Sequence, residues 1–450
     1  MDVLVLTHGT RGDVQPFIAL ALALTSAGHT VRLGAPAGSA ALAKPYGIPF
    51  VPLADGPNEL YGHPAVREVL ETNYRGLRGK RLAMTVARMY RNKMDAVLDD
   101  MADAARAGAD VIVHDIVLPG RQLGEWLGIP TVRACLQPFW VPTRAFPNPM
   151  HDLPLPVTWN RLTYLTTNIW YQILAGHTNR WRRNKLGLTR RGGYLDVLRM
   201  PGGGSTPLLQ AFSAHLLAPP PDDYPSWVQT TGPWLLPAPP DWMPSTDLND
   251  FLHSGAPVVY VGFGSMAGSD PGRTARMITE AVRSAGVRAV VGTGWGGIEA
   301  SKNDQDILPV GDVPHDWLFE HVTAVVHHGG SGTTAAALAA GRPQVVCPFV
   351  LDQPFFARRV HELGAAPEPL PQRQLNATEL ARAIEMAVTD QSFSISAKRL
   401  AEWIRDEEGI DRAVRLIEDV ARPTISRRSL RRPPSRTRPG TPCARRTPGP

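Results

Sequence analysis

The chain has 450 residues, 43% hydrophobic and 20% charged, a composition typical of soluble globular proteins and long enough for two ordinary domains. Its net charge of +6 comes from residues 421–450, which hold nine arginines and no acid. Residues 1–420 carry 38 basic against 41 acidic side chains, so bulk charge gives no case for nucleic-acid binding.

Three features of the sequence bear on its compartment. It has no run of about eighteen apolar residues, so we predict no transmembrane helix. The opening residues, MDVLVLTHG, read as a strand without a preceding basic region, so we expect no secretory signal. Cys135, Cys347 and Cys443 follow no zinc spacing, and the first two lie at predicted strand ends, where a small buried residue is expected. A cytoplasmic, reducing setting fits these features.

The first 33 residues predict a strand, helix and strand. The strand DVLVLT is followed by the turn THGTRGDVQP, and Pro16 suits the first turn of a helix that ends at Gly28. A second strand follows at once, which indicates the opening of a doubly wound parallel sheet. The turn lacks the dinucleotide pattern GxGxxG, but Thr10, Arg11 and Gly12 can still reach a diphosphate from there.

Two residues in this region are candidates for a general base. Asp13 can take a hydroxyl proton if an apolar pocket raises its pKa. It can equally be the N-cap of a helix beginning near Val14, and the two roles are compatible. His8, at the end of the first strand, is the competing base.

The rest of the first half predicts further strands of the same sheet, a basic helical stretch and an apolar surface. The strand DVIVH ends at Asp115, which either raises the pKa of Asp13 by like charge or caps a helix beginning at Leu118. Residues 64–107 carry helical patterning with interleaved basic side chains. The aromatic-rich residues 137–171 suit an apolar, concave site for a small molecule.

Composition divides the chain into four parts. A proline-rich stretch, 218–255, with one short strand, predicts a linker between a first domain at 1–217 and a second at 256–420. Helical patterning from 376 closes the second domain. Residues 421–450, rich in Arg, Pro, Ser and Thr, predict a disordered tail.

The second domain begins with PVVYVGFGSMAG, a strand followed by a glycine-bearing turn with the spacing GxGxxxG. This turn is a weak nucleotide signal, because no acidic residue that could bind a ribose follows the next strand.

The most informative stretch is VVHHGGSGTTAAALAAGRPQVVCPFVLDQ, residues 325–353. It reads as a strand, two histidines, a glycine-rich turn, an alanine-rich helix and a second strand that leads to Asp352 and Gln353. The turn places bare backbone N–H groups and a helix N-terminus at the carboxyl edge of a parallel sheet. This arrangement predicts a phosphate site.

HHGGSGTT followed by GRPQVVCPFVLDQPFFARRV resembles the nucleotide-sugar signature of family 1 glycosyltransferases, in the branch of bacterial natural-product and sterol glucosyltransferases. The resemblance covers roughly residues 1–420. It implies the GT-B fold: α/β, with two Rossmann-like doubly wound domains facing across a cleft and a last helix that crosses back to the first domain.

The resemblance also implies roles for particular residues. Asp13 stands where the family commonly has the histidine of a Gly-His-x-x-Pro pattern, and it would serve as the general base. The sugar would be held by Asp352 and Gln353, and the nucleobase by Trp295, Val313 and His315. His327 would be the phosphate donor and His328 the support of the turn. The remaining residues expected to contact the diphosphate are Thr10, Arg11, Gly264, Ser265, Gly330, Ser331, Gly332 and Thr333.

These roles imply a reaction. A direct attack by a hydroxyl on a nucleotide sugar would invert the anomeric centre, and the sequence holds no Asp-x-Asp motif, so we expect no metal and no cofactor. The donor would carry uridine or thymidine. The acceptor would be a hydrophobic, hydroxyl-bearing small molecule, with at most peripheral membrane contact. Two alternatives remain: a nucleotide-sugar epimerase on the same fold, and a non-catalytic partner of a glycosyltransferase.

Overall fold

The structure is a computed structural model. It describes residues 1–63, 65–66, 76–150, 156–190, 207–217, 220–264, 271–293, 305–372 and 374–429. Two predicted site residues, Ser265 and Trp295, lie outside these ranges, as do Cys443 and most of the predicted tail.

The described strands form two sheets in which every paired neighbour is parallel. The first sheet has the order β3-β2-β1-β4-β5-β6-β7, and the second has the order β10-β9-β8-β11-β12. The strands are β1 (Asp2–Leu6), β2 (Thr30–Pro36), β3 (Phe50–Leu53), β4 (Val111–Asp115), β5 (Thr131–Cys135), β6 (Leu208–Gln210), β7 (Val228–Thr230), β8 (Val258–Gly262), β9 (Arg288–Gly292), β10 (Ile307–Val310), β11 (Ala324–His327) and β12 (Gln344–Val346).

The α-helices described are α1 (Arg11–Ser26), α2 (Ala40–Ala43), α3 (Gly76–Arg106), α4 (Arg121–Leu127), α5 (Asn160–Thr163), α6 (Leu165–Asn184), α7 (Thr246–His253), α8 (Pro271–Ser284), α9 (His315–Glu320), α10 (Ser331–Ala339), α11 (Gln353–Glu362), α12 (Ala377–Thr389), α13 (Gln391–Asp406) and α14 (Gly409–Ser429). Among them we find none with the length and apolarity needed to cross a bilayer.

Both sheets reverse their strand order at the centre, between β1 and β4 in the first and between β8 and β11 in the second. Ligands of doubly wound sheets bind at such switch points, beyond the carboxyl ends of the strands. The predicted fold class is therefore confirmed, and both switch points carry residues that the sequence singles out.

Three boundaries differ from the sequence prediction. Helix α1 begins at Arg11, so Pro16 lies in its second turn rather than its first. The stretch predicted as a linker contributes β7 to the first sheet, while Leu248 of α7 packs in the second domain. Helix α14 continues to Ser429, nine residues past the predicted start of the tail.

The last helix returns to the first domain. Ala413, Val414 and Ile417 of α14 pack in the same hydrophobic cluster as α1 and the first sheet. A separate cluster joins the two domains, in which the Phe146 and Phe355 rings lie 5.4 Å apart. The crossing predicted for the last helix is present, and burial of apolar surface holds the domains together at this edge.

Candidate active site

The two switch points meet across the cleft. The Ser331 hydroxyl, at the start of α10, donates to the Leu136 carbonyl of the first domain at 2.9 Å. Arg11, at the start of α1, forms an ion pair with Asp312 of the second domain. The N-termini of α1 and α10 therefore lie in one region, which contains most of the predicted site residues.

Asp13 is the third residue of α1, with Thr10 as the N-cap. Its Oδ2 accepts hydrogen bonds from the Thr10 amide at 2.8 Å and the Thr10 hydroxyl at 3.0 Å. Asp13 therefore contributes to capping, but not as the predicted N-cap residue. Its carboxylate reaches back from the third position of the helix to the N-cap residue, Thr10. Its Oδ1 makes no hydrogen bond to any residue that the structure describes.

Burial raises the pKa of Asp13, and the two hydrogen bonds from Thr10 partly oppose the shift. Part of the residue remains accessible. The carboxylate is therefore oriented through one oxygen and open to a ligand through the other.

Gly9 provides the space for this carboxylate. Its φ is +142°, which favours glycine, and a Cβ at this position would lie 2.3 Å from Asp13 Oδ2. The Gly9 carbonyl accepts from Asn58 Nδ2 at 2.7 Å, which fixes the turn. The sequence does not identify Gly9, because a glycine in a polar turn has no unusual signature by itself.

Other ionisable groups converge on Asp13 from separate elements. Burial raises the pKa of Asp115 to about 8 and that of Asp352 to about 7, and the charge of Asp13 adds to both shifts. Tyr90 of α3 has its pKa raised to about 12 by burial, with contributions from Asp115 and Asp13. Asp115 also accepts from the Val117 amide at 3.0 Å, so it caps a turn that precedes α4. The structure differs from both roles considered for Asp115. The charge of Asp13 raises the pKa of Asp115 rather than the reverse, and Asp115 caps a turn, because the next helix begins at Arg121 and not at Leu118.

His8, the competing base, is buried, and its Nε2 lies 3.1 Å from the Ala54 carbonyl. Because a carbonyl can only accept, Nε2 must carry the proton. Burial lowers the pKa of His8, so its ring is neutral. Nε2 therefore cannot act as a base while this hydrogen bond is in place.

The predicted phosphate turn forms the N-terminus of α10. Its N-cap is Gly330, and no side chain caps the helix. The first-turn amides of Ser331, Gly332 and Thr333 are among the groups that a helix cannot satisfy internally. An anion at this end would be bound by these amides and by the helix dipole.

The surroundings of the two histidines before this turn differ from those that their predicted roles require. His327 is fully buried, and its Nδ1 accepts from the Gly329 amide at 3.0 Å while its Nε2 lies 2.7 Å from Gln344 Oε1. Both ring nitrogens are therefore occupied, and burial lowers the pKa of the ring to about 3. His327 supports the turn and has no donor left for a phosphate.

His328 has the geometry expected of the donor. Its Nδ1 is buried without a hydrogen-bond partner among the described residues, and burial lowers the pKa of the ring to about 4. Glycines approach the ring from two sides. A Cβ on Gly330 would lie 2.6 Å from Nε2, and one on Gly264, whose φ is +57°, would lie 3.3 Å from Cε1. The His328 ring thus lies between the two glycine turns, with its unpaired Nδ1 on the side of Gly264.

Three further residues predicted to contact the diphosphate already have partners. The Thr10 hydroxyl is bonded to Asp13, the Ser331 hydroxyl to Leu136, and Arg11 to Asp312. Of the predicted hydroxyls, only that of Thr333 has no hydrogen bond to the described residues. The first-turn amides of α10, the His328 ring and the Thr333 hydroxyl are therefore donors without a partner among the described residues, and the buried Thr334 hydroxyl is another.

Asp352 and Gln353 adjoin the site at the start of α11. Asp352 is the N-cap, but its side chain does not cap the helix, and it is 9% exposed. The Gln353 Oε1 accepts from the amides of Phe349 and Val350 at 2.8 and 3.0 Å, which leaves its NH2 group for a ligand. Leu351, just before them, has φ +59°, a strained conformation for leucine that the sequence does not reveal.

The predicted nucleobase residues lie on the same side of the second domain. Val313 packs partly buried beside the hydrophobic cluster of β8, and the His315 ring stacks on Phe319 at 4.6 Å. His315 also lies 3.5 Å, Nε2 to hydroxyl, from Tyr260. Burial and the charge of Arg11 lower the pKa of His315 to about 3, so the ring is neutral and packed.

Comparison with known proteins agrees with this geometry. Residues 3–115 match the glycosyltransferase family 28 N-terminal domain, and residues 300–408 match the C-terminal domain of erythromycin biosynthesis protein CIII-like proteins. The sterol 3-beta-glucosyltransferases of Neosartorya fischeri and Aspergillus fumigatus are each 35% identical to the chain over 431 residues, or 92% of it. The chain spans only 29% of the length of these curated relatives.

Solved structures share the fold. The glycosyltransferase of kitacinnamycin covers 93% of the chain with a TM-score of 0.65 at 18% identity, and 99% of its own chain is matched. The glycosyltransferase VinC, in complex with dTDP, covers 94% with a TM-score of 0.62 at 20% identity, and 100% of its own chain is matched. Both domain models, the curated relatives and the solved structures thus agree that the chain is similar to glycosyltransferases over most of its length.

Proposed function

We propose that this protein transfers a sugar from a nucleotide diphosphate sugar to a hydroxyl of a hydrophobic small molecule, with inversion and without a metal ion. The observation that carries the proposal is the opposition of two groups across the cleft. The open Oδ1 of Asp13 comes from the first domain, and the uncapped N-terminus of α10, with His328, comes from the second.

Asp13 acts as the general base in this reaction. It removes the proton of the acceptor hydroxyl as the acceptor oxygen forms its bond to the anomeric carbon. The bond from that carbon to the diphosphate oxygen breaks on the opposite face, so the configuration inverts and the nucleotide diphosphate leaves. Burial favours this step, because a carboxylate with a raised pKa is a stronger base.

The second domain stabilises the leaving diphosphate. The Gly332 and Thr333 amides and the α10 dipole provide fixed positive ends. The His328 ring donates from Nδ1, and the arriving anion favours its protonated form over the neutral one. Arg11 can exchange Asp312 for the diphosphate, since its partner is exposed. These groups neutralise the developing charge without a cation.

Asp352 and Gln353 hold the sugar. The Asp352 carboxylate can accept from sugar hydroxyls because it is not used as a helix cap, and the Gln353 NH2 group can donate. Desolvation of the Asp352 carboxylate, which raises its pKa to about 7, is relieved when sugar hydroxyls donate to it. The names of the curated relatives favour glucose as the sugar and a sterol as the acceptor.

The test is a substrate panel for the purified protein. UDP-glucose and a TDP-sugar are each incubated with and without sterol, polyketide and phenolic acceptors, in the presence of EDTA. We expect acceptor-dependent release of nucleotide diphosphate and a glycosylated product of inverted configuration, read by mass spectrometry and NMR. Binding of nucleotide without turnover on any acceptor would overturn the proposal in favour of a non-catalytic partner protein.

A further inference from the structure

The segment from Val157 to Ile169 has an unusual distribution of polar and apolar side chains. It comprises the start of α6, the short α5 and the turn before them. Val157, Trp159, Leu162, Leu165 and Ile169 are between 55 and 69% exposed. We call these five residues the outer apolar face. They form most of the exposed large hydrophobic side chains of the described first domain.

The inward side of the same segment is polar apart from Tyr164, which packs in the hydrophobic cluster that joins the domains. Asn160, Thr163 and Thr167 are buried. Thr163 accepts from the Asn148 amide and Thr167 from Asn148 Nδ2, both at 2.7 Å, while Thr167 donates to the Phe139 carbonyl at 3.1 Å. A surface helix in water normally has the reverse pattern, with apolar residues inside and polar residues outside. The outer apolar face is thus built to contact something other than water.

The charged side chains of this segment itself are all basic, while acids of neighbouring elements, Asp223 and Asp95, pair with Arg161 and His177. Residues 153–195 contain no Asp or Glu. Arg180 and Arg183, both exposed, continue the face of α6 that carries Leu165 and Ile169, because eleven residues make three helical turns. Arg161 lies within the face, 58% exposed at its side chain, and the nearest acid to it is Asp223 at 3.6 Å.

Helix α3 packs against α6 and carries a similar combination of exposed side chains. Its Met84 is 69% exposed, and Arg81 and Arg88, one turn away on either side, are also exposed. Residues 72–94 contain no Asp or Glu. Exposed apolar side chains among arginines, without acids, complement a surface that is apolar inside and anionic at its rim.

From these observations we propose that the outer apolar face docks onto an anionic lipid bilayer surface. The apolar side chains enter the boundary between headgroups and acyl chains, and the flanking arginines contact anionic headgroups. A second copy of this chain is disfavoured as the occupant, because two such faces would bring their arginines together. The inference rests on this surface alone and does not depend on the proposed reaction.

The test is flotation of the full-length protein with vesicles. One set is phosphatidylcholine alone, and the other contains roughly one third phosphatidylserine. We expect flotation with the anionic vesicles and loss of it as salt is raised. Absence of flotation with anionic vesicles would overturn the proposal. So would light scattering that shows a dimer broken by Ile169→Asn without any flotation, since a second copy would then cover the face.

Matched variants locate the contact. Ile169→Asn is compared with Ile395→Asn, because the two isoleucines are 62 and 67% exposed but Ile395 lies on α13 of the second domain. We expect at least about a fivefold fall in the bound fraction for the first and none for the second. The pair Arg180→Gln and Arg183→Gln should lower binding by roughly tenfold, and Arg405→Gln on α13 should not.

Circular dichroism and thermal unfolding verify that the variants remain folded. If Ile169→Asn does not remain folded, Leu165→Asn replaces it. Equal flotation of Ile169→Asn and Ile395→Asn, both folded, would overturn the placement of the contact at this face.

Discussion

Replacing Gly9 with alanine should separate the positioning of Asp13 from the folding of the domain. An alanine Cβ would lie 2.3 Å from Asp13 Oδ2 and 2.7 Å from its Cγ, roughly 1 Å closer than ordinary contact. The carboxylate must then move, and its hydrogen bond to the Thr10 amide is lost or lengthened. A misplacement of about 1 Å of a catalytic group can lower a rate by about 10²-fold.

The control for this substitution is Gly28→Ala. Gly28 also has a positive φ, +85°, but a Cβ there meets nothing within 4 Å. Both variants should lose about 1–3 kcal/mol of unfolding free energy from backbone strain, measured by urea unfolding. Only Gly9→Ala should also lower kcat, measured at saturating donor and acceptor. If Gly9→Ala keeps the kcat of Gly28→Ala, the argument that Gly9 positions the base is refuted.

Three further predictions follow from the site. His327→Ala should destabilise the fold by about 2–4 kcal/mol in urea unfolding, because two buried hydrogen bonds are lost. His328→Ala should instead keep the stability and lower kcat/KM for the donor by about 10²-fold. The reverse pattern would restore the assignment of His327 as donor. Arg11→Gln should raise the KM for the donor, while Asp312→Asn should lower it by freeing Arg11. If both variants shift the KM in the same direction, the exchange of Asp312 for the diphosphate at Arg11 is contradicted. Between the ordinary carboxyl pKa of 3.8 and the folded pKa of about 8, folded Asp115 keeps a proton that the unfolded chain has lost, so stability falls as pH rises through this window. Asp115→Asn should reduce the slope of the unfolding free energy against pH by at most about 1.4 kcal/mol per pH unit. An unchanged slope in unfolding experiments at several pH values would refute the raised pKa of Asp115.

The fold was accessible from sequence because it rests on local patterns. Apolar runs ended by polar turns predict the long central strands, and the glycine-rich turn after Val326 predicts an anion site at a sheet edge. The three-residue β6 and the four-residue β10 were not predicted. Their place in the sheets is set by neighbours far along the chain, which the local pattern of these residues does not show.

Roles of single side chains were less accessible, because they depend on contacts between distant residues. The sequence gives no way to know that His327 meets Gln344, or that Arg11 pairs with Asp312, 301 residues away. Two adjacent histidines at a strand end point to opposite faces, so choosing the donor between them requires knowing which face is buried. The positive φ of Leu351 is invisible in the sequence for the same reason, since tertiary contacts impose it.

The most direct test of the account is the acceptor-dependent transfer rate of Asp13→Asn, measured together with its affinity for the donor by calorimetry. Asparagine keeps the size of the side chain and can still accept from the Thr10 amide, so the helix start should remain intact. The account predicts that kcat falls by about 10²-fold or more while donor affinity changes little. Transfer at the wild-type rate in this variant would contradict the assignment of Asp13 as the base.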